Sequence, residues 1–178
     1  MEHAYTYRID CADNCYWVYL NQTLLGTIEK GVDHSWHINV TLTGENFLFT
    51  KLGLLKPSIY IQDINSGTSI GSISIPMLPF LPFKSKFQYL GDNKLAWICK
   101  SPLSLHWQWR SSRETIIEAV ENINLSDRSG LITLETFQRE SNLLILAGIF
   151  LSLLRKKRLS FGLLHNDLED WKQGSEVA

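Results

Sequence analysis

"NLLILAGIFLSLLRKKR" runs from Asn142 to Arg158, and its reading decides the fold. Twelve consecutive residues, Leu143 to Leu154, carry no charge, and four cations follow at once. A helix of twelve residues covers ~18 Å, whereas a membrane span must cross about 30 Å of hydrocarbon. The run is therefore short for a span and reads as a helix inside a protein core. It is apolar on every face, so it needs partners on every face. Gly148 and Ser152, four apart, form a thin stripe where a strand can approach closely. Ser141 is placed to cap the helix start, with Glu140 near the positive end of its dipole.

The chain before this helix supplies the surround. Short runs rich in β-branched and aromatic residues alternate with turn clusters. "YWVYL" (16–20) leads through "NQT" to "LLGTIEK", and "WHINVTL" (36–42) through "TGEN" to "FLFTKL". The same pattern recurs at "SIYIQD" (58–63), "KFQYL" (86–90), "LSLHWQWR" (103–110) and "NINLS" (122–126). Six hairpins predict about twelve strands. Gly67, Gly91 and Gly130 fall where turns favour a positive φ. Leu103, Leu105, Trp107 and Trp109 share one face of a strand, and Ser104, His106, Gln108 and Arg110 the other. Such a wall has one dry and one wet side. Leu25-Gly26-Thr27-Ile28 matches Ile70-Gly71-Ser72-Ile73, and Leu95-Ala96-Trp97-Ile98 follows loosely, at uneven spacing. The expectation is a mainly β domain over 1–158: a closed antiparallel barrel around a central helix at about 141–157. A tail at 159–178 follows, in which Leu164, Leu168 and Trp171 lie at helical spacing.

A barrel of this order, with a central C-terminal hydrophobic helix, resembles the tubby C-terminal superfold. Its smaller members are the LURP-one-related proteins and the phospholipid scramblases. The chain is similar to them in Asp63…Gly67…Ile70-Gly71-Ser72-Ile73 and in "RESNLLILAGIFLSLL" (139–154). The resemblance implies a cytoplasmic, non-enzymatic binding module, with anionic lipid or phosphoinositide as ligand at the membrane surface. The calcium segment, proline-rich arm and palmitoylated cysteine cluster associated with scramblases have no counterpart here, nor has the tubby lipid-site motif.

Bulk properties fit a domain of this kind. The chain has 178 residues and a net charge of -1, which gives no global attraction to nucleic acid. Cys11, Cys15 and Cys99 are too few for a disulfide framework, and a reduced cytoplasmic setting is expected. "MEHAYTYRID" lacks the apolar stretch of a signal peptide. Phosphate loops and hydrolase elbows are absent, so no catalytic residue is assigned. Cys11 with Cys15 lacks a second ligand pair, and His34 and His37 point to opposite faces of an extended strand, so no metal or cofactor is expected.

Two features carry a functional expectation. Arg155, Lys156, Lys157 and Arg158 read either as an anionic headgroup site or as a helix C-terminus complementing its dipole. "PMLPFLPF" (76–83) has proline at every third position, so it is a connection. Phe80 and Phe83, with Lys84 and Lys86 behind them, resemble an apolar tip that dips into a bilayer. The other readings of that loop are a plug at one barrel end or a homodimer contact. A protein partner at the proline-rich loop and the tail around Trp171 is the alternative to lipid.

Overall fold

The computed structural model describes residues 3–32, 35–53, 57–76, 83–89, 94–99, 106–122, 128–134 and 139–163, with backbone alone at 83, 89, 139 and 157–163. The strands are β1 (His3–Ala12), β2 (Cys15–Leu20), β3 (Thr23–Lys30), β4 (Ser35–Val40), β5 (Glu45–Leu52) and β6 (Ser58–Asp63). They continue as β7 (Ser69–Ser74), β8 (Phe83–Tyr89), β9 (Lys94–Cys99), β10 (His106–Arg110), β11 (Thr115–Glu121) and β12 (Ser129–Leu134). Each pairs antiparallel with its sequence neighbours, and β12 closes on β1 with His3 opposite Leu134 and Arg8 opposite Ser129. Closure leaves no unpaired strand edge.

Period-two alternation builds the wall. Trp107 and Trp109 are buried while Gln108 is half-buried and Arg110 exposed, as the sequence of β10 predicts. The expected strand residues Leu103, Ser104 and Leu105 lie outside the described residues. So do Gly91, His34 and most of "NINLS". The twelfth strand is β1, whose Tyr5, Tyr7 and Ile9 alternate towards the core with Thr6, Arg8 and Asp10 facing out. That strand was not among the six expected hairpins.

The likeness between Leu25–Ile28 and Ile70–Ile73 has a structural cause. The register slips by one residue beside Leu25 in β3, beside Ile70 in β7 and beside Ile116 in β11. A bulge thus recurs on every fourth strand, bending the wall into closure. Gly71 follows the bulged residue at φ 153°, with its α-carbon face against the Gln88 carbonyl, so only glycine fits. Leu95–Ile98 in β9 pairs without a slip, so the third copy is one of sequence only.

Helix α1 (Arg139–Leu163) fills the barrel. Every residue from Ser141 to Ser152 is buried, which explains an apolar run on all faces. Phe150 meets Trp36 and Phe49 edge-on at 5.0 and 5.4 Å between ring centroids. Trp109 donates its indole N–H to the Leu144 carbonyl at 2.7 Å. A Cβ on Gly148 would stand 2.5 Å from the Trp107 ring, so the thin stripe is where β10 comes closest.

Both expected helix ends shift. The helix starts at Arg139, which puts Ser141 inside the first turn, buried, rather than at the cap. It continues to Leu163, with no basic residue in its last turn. The cations at 155–158 therefore precede the helix end by more than a turn, and the dipole effect falls off within one. That reading of the basic run is corrected.

Candidate functional site at the helix exit

Alternating strand direction assigns each connection to one of two barrel ends. The helix starts at the end where β12 finishes and leaves where β9 and β11 finish. Ser152, Arg155 and Lys156 occupy one side of its exit turn. Glu121, the last residue of β11, is buried opposite them. One carboxylate oxygen accepts a hydrogen bond from Ser152 Oγ, and the other forms an ion pair with Lys156 Nζ. A buried carboxylate without such partners would be costly.

Tyr7 joins this cluster from β1. Gly130 lies in β12, directly opposite Tyr7 on one side and Glu121 on the other. The expected turn role of Gly130 is thus corrected. A Cβ there would meet the Tyr7 ring at 2.6 Å, so its absence makes room for the phenol. Burial, and then the Glu121 charge, push the Tyr7 hydroxyl far above its ordinary value.

Arg155 is only 3% exposed, and its Nη1 reaches Cys99 Sγ at the end of β9. The expectation of Arg155 in a surface cluster is corrected: the helix turns this side chain into the wall. Lys156 keeps 46% of its side chain exposed while holding Glu121. Lys157 and Arg158 lie in the helix, with side chains outside the described residues.

The described part of the second expected cluster, Phe83, Lys84 and Lys86, sits at the same end. Phe83, the first residue of β8, pairs across the sheet with Cys99, the residue that Arg155 reaches. Ser85 and Phe87 point inward, so Lys84 and Lys86 project outward from the wall. The side chain of Phe83, and Phe80 as a whole, lie outside the described residues. So do residues 77–82 of the proline-rich segment and the tail residues Leu164, Leu168 and Trp171. Lys30 and Arg128 add exposed cations at this end, the Arg128 guanidinium 5.6 Å above the Tyr16 ring. Asp13 and Glu29 are exposed acids at the same end.

Glu121 escaped the sequence reading, although the pattern held a signal. Ile117, Ala119 and Glu121 alternate onto the dry face of β11, and an acid on a dry face needs a partner. Cys11 and Cys15 are free thiols on neighbouring strands, Cys11 exposed. Burial, then Glu29 and Cys11, push the Cys15 thiol up. Among the described residues no group of three His, Cys, Asp or Glu side chains comes together to hold a metal. No described helix is long and apolar enough to cross a membrane.

These features define a closed antiparallel β-barrel threaded by one helix, with a polar latch where the helix leaves. No protein-family model, curated protein or solved structure matches the chain.

Proposed function

We propose that the protein is a non-enzymatic module that binds anionic lipid at a membrane surface through the barrel end where the helix leaves. The observation that carries this reading is the pairing of Phe83 with Cys99, which puts Lys84 and Lys86 at the same end as the helix exit. Cations near an anionic bilayer contribute about 1 kcal/mol each, so one alone holds nothing and several together do. Lys30, Lys84 and Lys86 are exposed on strands that reach this end, Arg128 is exposed just before β12, and a rigid barrel presents them with little loss of backbone freedom. Arg155 acts differently, holding the helix exit against β9. The resemblance to tubby-like proteins agrees with this ligand class and a cytoplasmic location peripheral to the membrane.

Co-sedimentation with vesicles tests the proposal. The full chain is expected to pellet with vesicles containing phosphatidylserine or phosphoinositide and to remain in solution with neutral phosphatidylcholine. Salt should weaken the binding. The double variant Lys84→Glu, Lys86→Glu should lose most of it. Equal pelleting of wild type and variant, or no dependence on lipid charge, would sink the lipid reading and favour a protein partner.

A further inference from the structure

Val32 is the most exposed large apolar side chain among the described residues, at 85%. Hydrogen bonds tie Gly31 and Val32 to Ser35. Gly31 N–H donates to the Ser35 carbonyl at 2.9 Å, and Ser35 Oγ donates to the Val32 carbonyl at 2.8 Å. The chain therefore holds this side chain out in water by geometry. Leu52, at the end of β5, is 51% exposed. The β3–β4 turn and the end of β5 lie at the barrel end where the helix leaves. They are two strand spacings apart, about 10 Å across the sheet.

A single exposed apolar residue needs no explanation. The charge around these two makes the difference. Leu42 and Ile64 are also exposed, but in turns at the opposite end. That end carries Glu45, Asp63, Glu114 and Glu140 against Lys94, Arg110 and Arg113 among the described residues. The exit end carries Lys30, Lys51, Lys84, Lys86, Arg128 and Lys156 against Asp13, Glu29, the buried Glu121 and Asp10, which is paired with Arg8. Among the described residues, only the exit end combines projecting apolar tips with an excess of cations.

From this we infer that Val32 and Leu52 are the bilayer anchor of the protein. They enter the acyl boundary of an anionic membrane while the lysines of β3 and β8 stay among the headgroups. This assignment rests on the proposed lipid function and gives it a depth and an orientation: the barrel stands with its helix exit facing the bilayer. The cations attract, and the two apolar tips add the burial that peripheral binding needs.

Two measurements on the full chain test the anchor. In the first, Val32→Ser, Leu52→Ser is compared with wild type on vesicles of phosphatidylcholine and phosphatidylserine. Partitioning is expected to fall about tenfold while its salt dependence persists, because the charges remain. Both sites are exposed, so circular dichroism and thermal melting should match wild type. In the second, Val32→Trp adds an indole at the tip, read against the wild-type tryptophan background. Lipids brominated on their acyl chains should quench that added emission. Wild-type pelleting with an unchanged double variant, or no added quenching at position 32, would overturn the anchor and leave the lipid function standing. A wild type that pellets with no vesicle would overturn both.

Discussion

Trp109 donates its indole N–H to the carbonyl of Leu144, 2.7 Å away, and so ties the wall of the barrel to the second turn of its axle. The bond is local in space but joins residues far apart in sequence. It fixes the rotation of α1 about its own axis. That rotation decides which helix side chains meet β9, β10 and β11. Trp109→Phe removes the donor and part of the ring volume, and a cost of about 2–3 kcal/mol is expected from bond loss plus cavity. Urea denaturation followed by far-ultraviolet circular dichroism would measure it. A change below about 0.5 kcal/mol would show that the bond contributes nothing net.

Gly148 sets a second test in which two effects oppose each other. In a helix interior, Gly→Ala gains about 1 kcal/mol of propensity. Here the added methyl would meet the Trp107 ring at 2.5 Å and Trp109 Nε1 at 2.9 Å. Overpacking of this kind costs about 1–3 kcal/mol, so collision should win and Gly148→Ala should lower the melting temperature. A raised melting temperature would mean that the indoles move aside easily.

The latch predicts an asymmetry. Lys156→Ala leaves the buried Glu121 carboxylate with Ser152 as its remaining described partner. Glu121→Ala instead releases Lys156 to water, where about half of it already lies. Breaking a fully buried pair costs about 3–5 kcal/mol. With one partner half-exposed, about 1–3 kcal/mol is expected for Lys156→Ala, and less for Glu121→Ala. Equal costs in chemical denaturation would contradict a desolvated carboxylate at this site.

Tyr7 gives the fold an alkaline limit. Burial and the Glu121 charge raise its folded value, while the unfolded phenol ionises near pH 10. Its contribution is complete below about pH 10 and is lost as pH rises further, because only the unfolded chain can release the proton. Melting temperatures from pH 8 to 11 should show a steeper alkaline decline for wild type than for Tyr7→Phe. Parallel curves would exclude Tyr7 as the source.

Asp63 works in the opposite direction at the opposite barrel end. The Ser66 hydroxyl and the Asn65 backbone N–H donate to its carboxylate, both at 2.9 Å, and hold its proton affinity below the ordinary range. A depressed value stabilises the fold above about pH 4, and the gain is lost as pH falls through the folded value. The difference in melting temperature between wild type and Asp63→Asn should therefore shrink below about pH 4. A constant difference would mean that the turn does not sense the charge.

Much of the wall was legible because alternation is a local signal. Trp107 and Trp109 declare their face within one strand. The first strand lies outside the six expected hairpins, although Tyr5, Tyr7 and Ile9 alternate with polar residues and a two-residue turn joins Ala12 to Cys15. The end of the helix was harder. Four cations after an apolar run resemble a helix terminus, yet the backbone continues to Leu163 because nothing in "LSFGL" forces it to stop early. Arg155 and Lys156 are neighbours with the same charge in the sequence, and in the barrel one is buried while the other is half in water.

The sequence by itself determined that residues 143–154 belong inside a protein, because their length is short for a bilayer and no face of them is polar. It also determined which side of most strands is dry. Only the tertiary structure decided that β12 closes on β1, that Gly130 opens space for Tyr7 beside Glu121, and that Lys84 shares an end with the helix exit. Those relations depend on strand register around a closed ring and on the rotation of the helix within it. Both are set by contacts between residues distant in the chain, which no local pattern records.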